Sequence, residues 1–95
     1  RVTGMPVINY PNPFNPITTI TIYLPETGLA DISVMDILGR KVRSLFNGYV
    51  YEGETWKEIT WDGRDSKESP VPGGIYFCRI INGESVIKHK MILLK

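Results

Sequence analysis

The chain has 95 residues, of which 42% are hydrophobic and 22% charged, and its formal net charge is +1. This length and composition predict a single globular domain over residues 1–95, and they argue against a disordered chain. The balanced charge gives no electrostatic basis for binding nucleic acid, and no apolar run approaches the length of a membrane-spanning helix.

The N-terminal part of the chain is punctuated by prolines. A short strand near residues 6–10 leads into Tyr10-Pro11-Asn12-Pro13-Phe14-Asn15-Pro16. Each proline fixes φ and removes a backbone donor, so this segment cannot form a helix or a central strand. Asn12 and Asn15 can hydrogen-bond the neighbouring backbone and hold the turns between the prolines. The alternating run that follows predicts a second strand near residues 18–24.

Strand patterns recur along the rest of the chain at intervals of about ten residues, and no pattern of helical period persists. Turn-forming pairs separate the strands, among them Leu38-Gly39, Asn47-Gly48 and Asp62-Gly63. Short strands at this spacing are typical of an all-β, immunoglobulin-like antiparallel β-sandwich. We predict seven strands, near residues 6–10, 18–24, 30–37, 40–46, 54–61, 74–81 and 85–94.

The last two strands are predicted to form a hairpin around Asn82-Gly83, because both residues of a type I′ turn need a positive φ. This register pairs Ile81 with Glu84 and Cys78 with Ile87. Tyr76 precedes Cys78 by two residues, as in the tyrosine corner of an immunoglobulin strand F. The inward face then consists of Tyr76, Cys78, Ile80, Ile87, Met91 and Leu93, and the outward face carries Arg79, Glu84, Lys88 and Lys90.

The final strand is apolar on both faces in Met91-Ile92-Leu93-Leu94. The two-residue alternation of a strand places the Ile92 and Leu94 side chains on the outward face. Apolar side chains there are expected to be covered by another segment or by a partner, because exposed apolar patches are usually small. One explanation is that the proline-rich N-terminal segment, with Val7, Ile8 and Phe14, packs over them. The other is that a partner binds this end, by apolar contact or by strand addition.

Few residues fit an active site. Cys78 is the single cysteine, and its place in an alternating strand predicts burial as a small apolar residue. His89 lies near it on the same face, but no oxyanion donor or third group accompanies the pair, so we interpret His89 as a core or rim residue. Asp62, Asp65 and Glu68 lack the spacing of an EF-hand. We therefore expect no catalytic residue, no metal and no cofactor.

The aromatic residues leave one alternative open. Trp61 alternates with Ile59 and is predicted to fill the core. Trp56, Tyr49 and Tyr51 are candidates for exposed rings, and rings of this kind bind sugars in some immunoglobulin-like modules. The alternative function is therefore an accessory carbohydrate-binding or spacer module of a secreted glycosidase or protease.

Five sequence blocks follow one another along the chain. They are the proline-rich opening at 10–20, Val34-Met35-Asp36-Ile37-Leu38-Gly39-Arg40-Lys41-Val42-Arg43, Trp61-Asp62-Gly63-Arg64-Asp65, Gly74-Ile75-Tyr76-Phe77 and Lys90-Met91-Ile92-Leu93-Leu94-Lys95. In this order the blocks resemble the type A C-terminal sorting domain of type IX secretion cargo, and the resemblance covers nearly the whole chain. A related immunoglobulin-like domain occurs in the flagellar hook-capping protein. Two positions depart from the family pattern, with Glu68 where Gly is frequent and Gly73 where Ser is usual, and two extra residues lie between Gly53 and Trp61.

The resemblance implies a non-catalytic targeting domain that is carried by a larger secreted protein. Its partners would be the type IX outer-membrane translocon, a surface sortase-like peptidase that removes the domain, and a cargo domain N-terminal to Arg1. Its location would be secreted or at the cell surface, reached through the periplasm. A chain that begins at Arg1 rather than at methionine also reads as a piece of a longer protein.

Two sets of residues follow from this interpretation. The last strand is terminal, basic and apolar, so we expect the translocon to recognise it. The structural motif residues are expected to be Pro11, Asn12, Pro13, Phe14, Asn15, Pro16, Gly39, Trp61, Asp62, Gly63, Gly74 and Tyr76. The expected recognition residues are Lys88, Lys90, Met91, Ile92, Leu93, Leu94 and Lys95.

Overall fold

A computed structural model describes residues 7–52 and 56–95. Within these ranges every regular element is a β-strand, and no helix is long and apolar enough to cross a membrane. The predicted seven-strand, all-β architecture is confirmed, although the first residue of the predicted strand 6–10 and the first two of 54–61 lie outside the described residues. The strands are β1 (Val7–Tyr10), β2 (Thr18–Tyr23), β3 (Gly28–Met35), β4 (Lys41–Val50), β5 (Trp56–Trp61), β6 (Gly74–Asn82) and β7 (Ser85–Leu93).

The strands form two antiparallel sheets that pack as a sandwich. One sheet has the order β1-β2-β5 and the other the order β4-β3-β6-β7. Side chains alternate between buried and accessible along β2, so that Ile20 and Ile22 lie in the core, and Ile80 of β6 faces them from the other sheet with no exposed surface. This alternation is the physical reason that the sequence forms sheets, because each strand has one apolar face to bury.

Trp61 is the largest side chain in the core and has no exposed surface. Its ring lies 5.6 Å from that of Phe14 and 5.3 Å from that of Tyr76, measured between centroids. Its indole Nε1 donates a hydrogen bond of 2.9 Å to the carbonyl of Arg64. The prediction that Trp61 fills the core is therefore confirmed, and the buried N–H has the partner that it requires.

The predicted register of the last hairpin is wrong by two residues on one strand. Asn82 pairs with Ser85, so the loop is Gly83-Glu84 rather than Asn82-Gly83. Gly83 has a φ of 62° and Glu84 is not in the left-handed region, which is the pattern of a type II′ turn. Asn82 stays in the strand because its buried side chain accepts a hydrogen bond from the Glu26 N–H and donates one to the Glu26 carbonyl, both at 2.9 Å.

The inward face of the hairpin survives this correction, because a shift of two residues preserves the side on which each side chain lies. Cys78 is opposite His89 instead of Ile87, and Tyr76 is opposite Met91. Ile87 of β7 is half-buried against the edge of the core, whereas the inward residues of β6 are buried.

The pair Asn47-Gly48 was predicted to be a turn and is instead part of β4. Asn47 pairs with Asp31 and Gly48 with Ala30, so β4 extends to Val50 rather than ending at 46. Pairing along the full length of β3 competes with the local turn preference of Asn-Gly and prevails, since each ladder position satisfies backbone groups that a turn would leave unpaired.

Candidate functional site

The proline-rich segment docks along the outer edge of β7 through its main chain. Phe14 donates its N–H to the Ile92 carbonyl at 2.9 Å and accepts from the Leu94 N–H at 2.8 Å. The Asn12 side chain accepts from the Ile92 N–H at 3.0 Å and donates to the Lys90 carbonyl at 3.4 Å. The flanking prolines have no N–H, so Phe14 and Asn12 supply the polar groups that hold the last strand.

This docking differs from the expected cover over Ile92 and Leu94. The Phe14 side chain enters the core and is 1% exposed, while Ile8 remains 63% and Leu94 50% exposed. Of the two explanations, the cover by the proline-rich segment is therefore wrong, because the segment pairs with the edge of β7 rather than lying on its outward face. Ile92 is half-buried in this arrangement.

The seven residues expected to contact the translocon divide into two groups. Met91 is fully buried and Leu93 is 2% exposed, so neither is accessible to a partner of the folded domain. The accessible residues define what we call the terminal-strand surface, which consists of Lys88, Lys90, Ile92, Leu94 and Lys95.

Two of the motif blocks meet at Gly63. Its φ is 75°, and a Cβ atom at this position would lie 3.1 Å from the Pro16 carbonyl oxygen. A residue without a side chain lets the proline-rich segment approach the loop that follows β5. The Gly63 carbonyl also accepts from the Val71 N–H at 3.0 Å and closes this loop.

The acidic residues of the same loop are engaged in its turns. Asp65 accepts hydrogen bonds from the Ser69 and Lys67 N–H groups at 3.0 and 2.9 Å, and these bonds lower the pKa of Asp65. Glu68 has a φ of 67° and pairs with Arg43 at 3.2 Å. The left-handed conformation explains why glycine is frequent here in the family that the sequence resembles. In the described part of the chain, no group of three His, Cys, Asp or Glu residues could hold a metal ion.

Tyr76 forms the tyrosine corner that its spacing from Cys78 predicted. The Tyr76 hydroxyl donates to the Pro72 carbonyl at 2.6 Å, four residues upstream, and its ring packs edge-on against Trp61. Burial raises the pKa of Tyr76, so the hydroxyl remains a donor at neutral pH. The bond ties the loop before β6 to the core.

Cys78 and His89 are opposite each other but serve the core. Burial raises the pKa of Cys78 to about 12, so the thiol is protonated at neutral pH and is a poor nucleophile. The His89 Nε2 lies 2.7 Å from the Asn9 side-chain oxygen. Because the Asn9 amide nitrogen donates to Thr18 Oγ1 at 3.1 Å, the Asn9 oxygen is the acceptor and His89 Nε2 carries the proton.

His89 is expected to make the stability of the domain depend on pH. Burial lowers its pKa below the ordinary value of 6.5, so the unfolded chain binds this proton first. Stability from the neutral imidazole is present above pH 6.5 and is lost as the pH falls below that value and through the folded pKa. The thermal midpoint of the wild type should fall across this window by more than that of His89→Gln, which keeps a donor for Asn9.

Titration of the carboxylates does not overlap the pH window in which His89 is tested. The pKa values of Asp36 and Asp65 are lowered from 3.8 by backbone hydrogen bonds, so their contribution is lost only at more acidic pH. The same pH dependence in the wild type and in His89→Gln would contradict the assignment.

The aromatic residues considered for sugar binding do not share one sheet face. Tyr49 lies in β4 of the four-stranded sheet, with Tyr51 4.8 Å away at a tilt of 51°. Trp56 lies in β5 of the three-stranded sheet, tilted by 57° against Tyr23. A flat platform for a sugar chain would need rings that are coplanar on one surface.

Sequence reasoning missed three polar features of the structure. Asn9 and Asn82 are buried and connect distant segments, and the Arg79 Nε atom is buried on the outward face of β6. The one available signal for the two asparagines was their position in or beside strands, where asparagine is uncommon. No local pattern pointed to Arg79.

Comparison with known proteins identifies the fold and the family. A dimeric latent PorU from Porphyromonas gingivalis superposes with a TM-score of 0.70 and 23% identity, over 95% of this chain and 9% of that one. PorZ, described as an essential bacterial surface component of the type-IX secretion system of the same organism, superposes with a TM-score of 0.60 and 20% identity. That superposition covers 94% of this chain and 11% of PorZ. The chain thus corresponds to about a tenth of either protein, and the likeness shows the fold.

The comparison with curated proteins finds no match. The model of the family described as "Secretion system C-terminal sorting domain" matches residues 9–94, which include all five motif blocks. The chain therefore belongs to the family of secretion system C-terminal sorting domains, the sorting signals of type IX secretion that its sequence resembles.

Proposed function

We propose that this domain directs a cargo protein, joined to it before Arg1, from the periplasm through the type IX outer-membrane translocon. We also propose that a sortase-like peptidase removes it at the cell surface. The observation that carries the proposal is the family match over residues 9–94, on a fold that includes every motif block. A type IX sorting domain belongs to a secreted or cell-surface protein. The PorZ likeness is consistent with this setting, since that protein is a surface component of the system.

The structure supports recognition of a folded domain rather than of an extended tail. Phe14 and Asn12 bind the last strand through four hydrogen bonds, and Met91 and Leu93 lie in the core. A partner that recognises the folded domain would therefore contact the terminal-strand surface. We propose that the domain has no catalytic function of its own, since the buried thiol of Cys78 is protonated and His89 is engaged with Asn9.

A graft tests the sorting function. Residues 1–95 fused to the C-terminus of an unrelated periplasmic reporter are expected to bring that reporter to the surface of a type IX-competent cell. Surface labelling and protease shaving of intact cells measure the outcome. Retention of a folded fusion in the periplasm would contradict the proposal.

Point variants of the same fusion test the terminal-strand surface. Lys90→Glu and Leu94→Asp change exposed residues, so the thermal midpoint should stay unchanged while surface delivery falls. Val86→Asp is the matched control, because Val86 lies on the same strand, is 62% exposed and is outside this surface. Delivery at the wild-type level by all three variants would show that the translocon recognises another part of the domain.

A further inference from the structure

The turn between β3 and β4 holds two large apolar side chains in solvent. Asp36 Oδ1 accepts from the Leu38 and Arg40 N–H groups, each at 2.9 Å, and Asp36 Oδ2 pairs with Arg40 Nε at 2.9 Å. Ile37 is 68% and Leu38 72% exposed. Three bonds to one carboxylate give the turn a defined backbone shape, and this backbone carries both exposed aliphatic side chains.

A pocket of about 360 Å³ lies between this turn and the outward face of β6 and β7. Met35 and Phe77 contribute apolar wall, and Arg79 and Lys88 contribute the charged wall. Arg79 is directly opposite Lys88 in the strand register. A volume of this size accommodates a few side chains of a partner.

The pocket carries positive charge that no ion pair within the described residues compensates. Asp36 is the acidic residue in its wall, and its carboxylate is already paired with Arg40. Across residues 7–52 and 56–95, neither Arg79 nor Lys88 makes an ion pair. The Arg79 Nε atom is buried, and no atom of the described residues lies within hydrogen-bond distance and geometry of it. Leaving a buried donor of a charged group unpaired costs stability, and a bound anion would supply the missing acceptor.

We propose that this pocket docks an acidic segment of a partner protein. One carboxylate of that segment pairs with Arg79 and Lys88, and a neighbouring apolar side chain packs against Leu38 and Phe77. The proposal rests on the proposed sorting function in one respect, namely that the partner belongs to the export machinery. It adds a second contact region to the terminal-strand surface, with which it shares Lys88.

The shape of the site favours a protein segment over a membrane surface. A carboxylate matches the planar fork of a guanidinium with two parallel hydrogen bonds. A flat bilayer would contact the exposed side chains of Ile37 and Leu38, whereas the Arg79 Nε atom is buried in the pocket wall. A side chain of a protein segment that enters the pocket can contact both the charged wall of Arg79 and Lys88 and the apolar wall of Met35 and Phe77.

Selection from a random peptide library tests this chemistry directly, because the library samples acidic and apolar neighbours in every order. We expect the 95-residue domain to enrich peptides in which Asp or Glu lies beside an aromatic or aliphatic residue. The strongest selected peptide should bind about tenfold or more weakly to Arg79→Gln/Lys88→Gln than to wild type, measured by fluorescence anisotropy. Binding should also shift the Arg79 Nε–H signal in the NMR spectrum.

Controls keep the result decisive. Lys67→Gln removes an exposed lysine outside the pocket and should bind as wild type does. If the double variant fails to fold, Lys88→Glu alone, at an exposed position, serves as the test. Peptides without acidic enrichment, or binding unchanged in the pocket variants, would overturn the proposal. The proposal would also be overturned if no peptide is selected and the domain instead binds phosphatidylglycerol vesicles in a way that depends on Arg79 and Lys88.

The reporter fusion separates this proposal from the sorting function. If the wild-type fusion reaches the surface and the pocket variant does so equally, the docking site is wrong in the export setting and the sorting function stands. If the wild-type fusion is retained, the sorting function fails, while the peptide selection still decides whether the pocket binds acidic segments.

Discussion

Replacing Trp61 with alanine is expected to lower the free energy of unfolding by about 3–5 kcal/mol. The side chain is fully buried, packs against Phe14 and Tyr76, and donates a hydrogen bond to Arg64. Its removal leaves a cavity where three elements meet: the proline-rich segment, strand β6, and the loop that follows β5. A domain of this size has only about 5–15 kcal/mol of total stability, so the substitution removes a large fraction of it. Urea denaturation monitored by circular dichroism measures the loss.

Trp56→Ala is the matched control for this experiment. Trp56 is 61% exposed and contacts Tyr23 on the outward side of β2 and β5, so its loss should cost about 1 kcal/mol or less. Equal destabilisation by the two substitutions would contradict the distinction between a core tryptophan and a surface one.

Deleting residues 90–95 is expected to unfold the domain. The deletion removes Met91 and Leu93 from the core, at about 2–5 kcal/mol each. It also removes the hydrogen bonds of Ile92 and Leu94 to Phe14, so the proline-rich segment loses its docking edge. The summed loss approaches the whole stability of a small domain. Loss of dispersed amide signals in the NMR spectrum and rapid proteolysis would report it.

The control is deletion of Lys95 alone, an exposed residue beyond the end of β7. This shorter chain should keep the fold and the thermal midpoint. A folded domain after loss of 90–95 would show that the last strand is not part of the cooperative core. If the deletion unfolds the domain as expected, failed export of a truncated cargo shows only that the fold was lost. Substitutions of exposed residues, which leave the domain folded, are then needed to test recognition by the translocon.

Local sequence patterns were sufficient for the architecture and for much of the core. Period-two alternation and the turn residues between strands located seven strands, because a strand's hydrophobic pattern is a property of its own residues. The burial of Trp61 and Cys78 followed from the same alternation. The tyrosine corner was predicted from the spacing of Tyr76, since its bond to Pro72 spans only four residues.

Contacts between distant segments decided what local patterns could not. Asn82 bonds to Glu26, 56 residues away, and this contact moves the hairpin loop by one position. Phe14 binds a strand nearly 80 residues later through its main chain. Backbone hydrogen bonds carry no sequence signature at such separations, so the position of the proline-rich segment could not be read from the chain.

The candidate surfaces show the same division. Alternation alone placed Lys88 and Lys90 outward, because the side of a strand on which a residue lies follows from its parity. It could not show that Met91 and Leu93 are inaccessible to a partner or that the Asp36 turn exposes Ile37 and Leu38. Nor could it show that the buried Arg79 Nε atom has no acceptor among the described residues. Pairing, burial and charge compensation depend on which segments meet in space, and for this domain only the tertiary structure decided that.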